Sequence, residues 1–354
     1  SYDTPVRRSC KQMPVWYTGP VSPCAHRSRK AVHPLSPFTA TNLAITFHRI
    51  PSATWLRQAL TTIGRLYRFV AADELRAYLC DGQQLNGVCH VTFDDGDRSF
   101  VEAALPVLEA LAVPATLFIA PGVLASGRNY WFQELRYLRQ QVDDATIRRQ
   151  IAAQMGREAA QLAPYSPVVL CKALPLAAIW AVIDGLERAQ GLPPAPPANI
   201  SLAEAVALDR HPLVAIGAHS LSHPVLANED DAEAERQIAG SVQQLSALLG
   251  RPVRTFAYPN GAAGLDYGPR EQTLLRAAGV ELAFTTDSGY IGPGVHRLAI
   301  PRAGLAASPR ESSLWITAKL AAMPLWDRLK QNAESRERRQ LAALLSGQAE
   351  TGAV

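Results

Sequence analysis

The chain has 354 residues, 48% of them apolar, and a formal charge of only +4. That is enough for one large domain or a domain with a substantial insertion. The near balance of charge, with no basic stripe interleaved with aromatics, excludes nucleic acid as the expected partner. From Cys10 through Cys24, Cys80, Cys89 and Cys171, the five cysteines are widely spaced and include no CxxC pair. Free buried thiols are therefore expected rather than a zinc-binding or disulfide framework, with Cys80 and Cys89 as the one pair a turn could join. No apolar h-region follows the basic residues of the first thirty positions, and no run of about 18 apolar residues occurs. The expectation is a chain without a spanning helix. It would be cytoplasmic, free or peripheral to the inner membrane face, or periplasmic if a leader has been removed.

Residues 1–42 hold six prolines and no apolar period, which predicts an irregular arm. Leu43 to Phe47 then reads as a short buried strand ending at His48-Arg49. Leu56, Leu60, Ile63 and Leu66 mark a helix over 52–67. Asp73 is expected to cap a helix over 74–80. Gly87 to Phe93 is a second strand, ending at Asp94-Asp95-Gly96. A helix over about 99–112 and a strand from Ala115 to Ala120 follow. The alternation predicts a parallel α/β core.

Between 126 and 200 the rhythm breaks. Tyr130-Trp131-Phe132 opens a mostly helical stretch, and a Pro-rich piece from Pro193 to Pro197 closes it, which predicts a helical insertion on one barrel loop. Alternation resumes with a helix over 201–209, a strand from Val214 to Ile216 and a helix over 231–249. A strand over 253–257, a helix over 270–278, a strand over 281–286 and a last strand near Arg297 to Ile300 complete the barrel, 43–305. The tail, 306–354, reads as helical, and its charged stretch from Arg328 to Arg339 as a solvated face.

The polar residues that interrupt apolar strands sit at strand ends, where parallel α/β folds place their chemistry. They are His48, Asp94-Asp95, His219 with His223, and Tyr258-Pro259-Asn260-Gly261. Two imidazoles four apart share one side of a helical turn and can reach one cation. One added carboxylate makes a two-His-one-carboxylate set suited to zinc, or to cobalt, nickel or iron(II), with a position left for water. Two adjacent carboxylates ending a buried strand are costly unless a cation or hydrogen bonds compensate them. They can supply one metal ligand and one base. Each motif alone has a plainer reading, as incidental turn histidines or as a helix cap; together they favour a hydrolytic metal site.

These motifs, Thr92-Phe93-Asp94-Asp95-Gly96, His219-Ser220-Leu221-Ser222-His223 and Phe256-Ala257-Tyr258-Pro259-Asn260-Gly261, resemble the polysaccharide deacetylases of carbohydrate esterase family 4 in order and spacing. The resemblance covers roughly 43–125 and 205–305. ITFHRI, YWF and IGAHSLSHPVL bring it closer to a bacterial subgroup associated with exopolysaccharide biosynthesis. It implies a distorted (β/α) barrel of about seven parallel strands, acting on an acylated polysaccharide or oligosaccharide. It implies Asp94 as general base, Asp95, His219 and His223 as metal ligands, and the Asn260 N–H as oxyanion donor. Tyr258, Pro259, Arg302 and Trp131 are the candidates for substrate contact, Trp131 either stacking on a sugar or packing the insertion onto the barrel.

Two positions depart from the family pattern. The arginine that normally precedes the motif proline by two residues, and orients the base, is Ala257 here; Arg254 or Arg302 could replace it. The late Leu-x-His that supplies the general acid is absent from Leu298-Ala299-Ile300-Pro301-Arg302. In biofilm poly-N-acetylglucosamine deacetylases, which this chain resembles, the acid comes from the first strand, where His48 sits; His296 is the second candidate. Two rival readings follow. One is a non-catalytic glycan-binding relative. The other is a deacetylase or deformylase of a lipid-linked sugar, with the apolar stretch from Leu174 to Ile183 meeting the lipid.

Overall fold

The computed structural model describes residues 41–305, 312–322 and 333–346. Nearly all of the expected N-terminal arm, with Cys10 and Cys24, lies outside them. Cys80, Cys89 and Cys171 are free thiols, so Cys80 and Cys89 do not pair.

Among the described residues eight strands form one sheet: β1 Leu43–Phe47, β2 Arg68–Val70, β3 Val88–Phe93, β4 Ala115–Ile119, β5 Val214–Ala218, β6 Thr255–Ala257, β7 Leu282–Phe284 and β8 Ala303–Gly304. Seven run in the order β7-β6-β5-β4-β3-β1-β8, and β2 pairs with the start of β3 before β4 takes over that edge. Every strand pairing is parallel. The sheet curls into a distorted (β/α) barrel. The segment before β8 runs along β7, with the Ile300 N–H bonded to the Ala283 carbonyl and the Thr285 N–H to the Ile300 carbonyl. The strand expected at 297–300 is therefore a single bridge at Ile300, and the true strand starts at Ala303. Pro301 explains the offset, since it has no N–H to give to a ladder.

Strands β1, β3 and β4 are buried on both faces, as parallel strands covered by helices must be. Their alternation sorts two interiors. Leu43, Ile45, Phe47, Cys89, Val91, Phe93, Ala115, Leu117 and Ile119 face the helices and form the main apolar core. The intervening residues, Thr46, His90, Thr92, Thr116 and Phe118, face the barrel lumen. Register pairs Thr46 with Thr92, and Phe118 with Gly217. A Cβ on Gly217 would stand 2.4 Å from the Phe118 ring, so only glycine lets that ring fill the lumen. His90 is wholly buried there, between the Val70 carbonyl and Thr116 Oγ1, and burial lowers its imidazole to about 4.

The helices predicted between the strands fall within a few residues of their expected positions, with one exception at a cap, and the short helix Pro121–Ser126 is an addition to them. The second helix is Ala72–Asp81, capped by Ala71 without a side-chain bond. Asp73 stands inside its first turn, where a carboxylate meets the positive end of the helix dipole.

Residues 131–190 contain four helices, Trp131–Gln141, Asp144–Met155, Pro167–Cys171 and Leu176–Gln190, with an apolar core of their own. Leu174, Leu176, Ile179, Val182 and Ile183 all lie in that core, so the stretch considered for lipid contact is consumed by packing. The tail is not simply solvated. In the helix Ala333–Leu345, Glu334 pairs with Lys172, Glu337 accepts the Ser166 N–H, and Arg338 is buried against Asp266 at 2.7 Å. Residues 328–332 of the charged stretch lie outside the described residues. No helix among the described residues is long and apolar enough to cross a membrane.

Candidate active site

Strand parity brings the chemistry together. Positions 90, 92 and 94 share the lumen face, as do 44, 46 and 48 on β1 and 215, 217 and 219 on β5. The Asp94 N–H extends the β1–β3 ladder by donating to the Phe47 carbonyl at 2.9 Å. His48 and Asp94 are thereby neighbours at the carboxyl ends of adjacent strands, with His48 Nε2 3.8 Å from Asp94 Oδ2. His48 is half exposed, while Asp94 is 2% exposed.

Arg302 holds Asp94 from inside the barrel. Its two terminal nitrogens donate to the two carboxylate oxygens at 2.8 Å each, its Nε donates to the Thr285 carbonyl at 2.8 Å, and one terminal nitrogen also reaches Thr92 Oγ1. The guanidinium is wholly buried, and the bidentate fork fixes the plane of the carboxylate. Burial alone would raise the Asp94 carboxyl, but the Arg302 charge, helped by His219 and His48, holds it below the usual carboxylate range. The base-orienting arginine absent at position 257 thus has a counterpart in Arg302. Arg254 instead pairs with Glu281 on the surface.

Beside Asp94, the chain turns through Asp95 and Gly96 with φ of 72° and 71°. This swings the Asp95 carboxylate to the histidines. Asp95 Oδ1 lies 3.6 Å from Nε2 of both His219 and His223, and all three side chains are buried. Their donor atoms lie within 4.8 Å of one another. His219 Nδ1 is hydrogen-bonded to the Ala257 carbonyl at 2.6 Å, which directs Nε2 to the cluster. Among the described residues, Asp95 Oδ1 and His223 Nδ1 are buried with no hydrogen-bond partner. A buried carboxylate oxygen left bare costs free energy unless a cation sits against it. The donor set, two imidazoles and one carboxylate, fits a divalent first-row metal, so this buried Asp-His-His group could bind one. Burial pushes the His223 imidazole down to about 3, leaving it neutral as a ligand must be. Burial also opposes charge on His219, but the Asp95 and Asp94 carboxylates outweigh it and raise that group.

The His219–His223 segment is not the helical turn its spacing suggests. Ser220 and His223 both have φ of 60°, and the turn is held by helix Asp231–Leu249, where the Gln237 carbonyl accepts the Leu221 N–H and the Gln237 side chain accepts the Ser222 N–H. Among the described residues five non-glycines have positive φ, and four of them, Asp95, Ser220, His223 and Asn260, are at this site. Each such conformation costs about 1–3 kcal/mol, so the surroundings must impose it.

Asn260 follows β6 with φ of 59°, its carbonyl accepting the Thr286 hydroxyl at 2.6 Å. Among the described residues its backbone N–H has no acceptor. Gly261 must stay glycine, because a Cβ would meet the Thr286 nitrogen at 2.9 Å at φ of 74°.

Three expected substrate contacts are corrected. Tyr258 lies one alternation out of step with the lumen: with Phe256 it faces the helices, stacked on Tyr267 and donating to the Leu298 carbonyl at 2.9 Å. Arg302 is wholly buried, with its donors taken by Asp94, Thr92 and Thr285. Trp131 is 0% exposed and donates its indole N–H to the His223 carbonyl. Pro259 is buried in the turn before Asn260. His296 is exposed at the start of the segment that runs along β7, at the opposite strand ends from Asp94. Two further residues hold the site: Tyr130, which the YWF motif includes without giving it this role, and Gln237, which no motif includes and only its contacts with the His219–His223 turn reveal.

A curled parallel (β/α) barrel thus carries at its strand ends a buried Asp-His-His group that could hold a metal, beside an arginine-gripped carboxylate. The sequence pattern of the polysaccharide deacetylase family matches residues 81–158 and 200–283. The chain belongs to that family and is an enzyme of the polysaccharide deacetylase type. Among curated proteins none matches its sequence. Three solved structures share the fold. The Streptococcus pyogenes deacetylase PplD in complex with acetate is 14% identical, over 79% of this chain and 98% of that one, with a TM-score of 0.52. IcaB from Ammonifex degensii is 20% identical over 79% and 96%, with a TM-score of 0.52. A de-N-acetylase from Aggregatibacter actinomycetemcomitans is 11% identical over 78% and 98%, with a TM-score of 0.51.

Proposed function

We propose that the chain is a divalent-metal-dependent deacetylase that removes N-acetyl groups, and O-acetyl groups less demandingly, from a bacterial surface or exopolysaccharide. The observation that carries this is the bare, buried Asp95 Oδ1 between two imidazoles, beside a second carboxylate gripped by an arginine. Asp95, His219 and His223 would hold the cation, most simply Zn2+. Bound there, it supplies Lewis acidity to the acyl carbonyl and makes a water easier to ionise.

The chain's own residues do the rest. Asp94, kept ionised and oriented by Arg302, takes the proton of the attacking water. The Asn260 N–H donates to the oxygen that gains charge, a contribution of about 3–4 kcal/mol at comparable sites. His48, 3.8 Å from Asp94 and partly open to solvent, gives a proton to the departing amine. A cavity of about 660 Å³ opens beside these strand ends, lined by Arg49, Arg98, Arg136, Tyr137 and Gln140 among others, and none of His48, Asp94, Asp95, His219, His223 or Asn260 is in its wall. Its guanidinium, amide and ring surfaces suit a neighbouring stretch of a glycan chain. The acetate and de-N-acetylase named for two of the fold relatives support acetyl as the acyl group that water accepts.

The test is acetate release from N-acetylglucosamine oligomers by protein loaded with Zn2+. Release is expected, is abolished by a chelator and returns on adding the metal back. Release that is unchanged in chelator would sink the metal-dependent reading. A second measurement concerns the acid. An alkoxide leaves more readily than an unprotonated amine, so His48→Ala should lower amide hydrolysis by more than it lowers hydrolysis of an acetyl ester on the same sugar. Equal losses on the two substrates would remove His48 from that role.

A further inference from the structure

We infer that Tyr130 and Trp131, which open the helical insertion, are positioning residues for the Asp95–His219–His223 triad, so that the insertion is a working part of the metal centre. The inference rests on the reading of that triad as a cation site. Asp95 and His223 both adopt left-handed backbone, at φ of 72° and 60°. Asp and His enter that conformation more readily than most residues, but it still costs any non-glycine free energy that the surroundings must offset. Each carbonyl accepts one bond from the insertion. The Tyr130 hydroxyl donates to the Asp95 carbonyl at 2.7 Å, and the Trp131 indole N–H donates to the His223 carbonyl at 3.0 Å.

The donors are fixed as donors. The Tyr130 oxygen itself receives the Ala120 N–H at 3.3 Å, so its one proton is committed to Asp95. Both side chains are 0% exposed. The Tyr130 ring stands edge-on to the His223 imidazole at 5.3 Å, and Phe132 lies 5.1 Å from the same ring. Holding a carbonyl fixes the peptide plane that follows the ligand residue. Releasing it would let Asp95 or His223 relax to negative φ and carry its side chain out of the cluster.

The clamp is anchored at both ends of the insertion. The Gln133 side chain accepts the Tyr130 N–H and exchanges two bonds with the Asn199 amide. Asn129 donates to the carbonyls of Ala195 and Pro196 and accepts the Ala198 N–H. The Ile200 N–H then returns to the Gly96 carbonyl, one residue past Asp95. The start and finish of the insertion are thus tied to each other and to the loop that carries the carboxylates.

The experiment is a Zn2+ titration of metal-stripped protein against a chromophoric chelator, with the melting temperature of each metal-free protein measured alongside. Tyr130→Phe removes one hydroxyl and keeps the ring; Trp131→Phe removes the N–H. Ile183→Val opens a small cavity in the same subdomain core, away from both carbonyls. Each aromatic variant is expected to weaken Zn2+ binding about tenfold or more, while Ile183→Val lowers the melting temperature and leaves affinity within about twofold. Two aromatic variants that bind Zn2+ like the parent would overturn the inference, as would an Ile183→Val protein weakened as much as they are. If Trp131→Phe fails to fold, Tyr130→Phe decides alone. A parent that takes up no divalent cation would overturn the cation reading itself, a result separate from any difference between variants.

Discussion

Asp94→Asn is expected to lower deacetylation by about 100- to 10,000-fold, the usual contribution of a positioned general base. The amide has nearly the same shape, but it cannot take a proton from water. The cation ligands are untouched, so Zn2+ affinity should stay close to that of the parent, and that pairing of results separates a lost base from a lost metal site. A cost in stability accompanies the change. Arg302 is wholly buried, and its charge would face a neutral group that offers one acceptor oxygen where two were used. Breaking a buried ion pair from one side costs about 3–5 kcal/mol. Thermal unfolding should show this, and assays belong below the lowered transition. If the variant, fully folded, retained parental turnover, Asp94 could not be the base.

Arg302→Met should produce the second large effect, with a different signature. In the parent the guanidinium outweighs burial and keeps the Asp94 carboxyl below the usual carboxylate range. Without it, burial is opposed only by His219 and His48, and the group rises. The acid limb of the kcat/KM profile should therefore move to higher pH, with activity suppressed near neutrality and partly recovered in alkali. An unmoved limb would show that Arg302 does not tune the base. Stability should follow the same linkage with opposite signs in the two proteins. The depressed parental carboxyl contributes stability that is present above its unfolded pKa and is lost as pH falls through the folded value. In the variant the raised carboxyl imposes a penalty that is absent in acid and grows as pH rises above the unfolded value. Melting temperatures across that range should thus diverge toward neutral pH. Replacing both residues by apolar ones, Asp94→Leu with Arg302→Met, should recover part of the stability lost by either alone, because neither charge is then left uncompensated.

Much of the fold was legible because parallel strands covered on both faces must be short apolar runs, and helices must carry an apolar stripe. Leu43–Phe47, Val88–Phe93 and Ala115–Ile119 announce themselves in that way, and the polar residues that end strands marked Asp94, Asp95 and His219. The period of two even contained more than the motifs did: Tyr258 repeats the parity of Phe256 and so faces the helices. What spacing could not supply is the conformation of a turn or the identity of a partner far along the chain. The His219–His223 pair looked helical, but its turn is set by left-handed Ser220 and His223 under Gln237, a choice made by tertiary contacts against local preference. Arg302 stands 208 positions from Asp94 and meets it only because β8 pairs with β1 and closes that side of the barrel. Likewise Tyr130 and Trp131, aromatic residues that a sequence offers equally to a sugar or to a core, were assigned to the backbone of Asp95 and His223 by burial. The chemistry was written in residue types at strand ends. Which arginine grips Asp94, and which aromatics hold the Asp95 and His223 carbonyls, followed from the closure of the barrel and the seating of the insertion, because those contacts join segments whose separation in sequence carries no periodic signal.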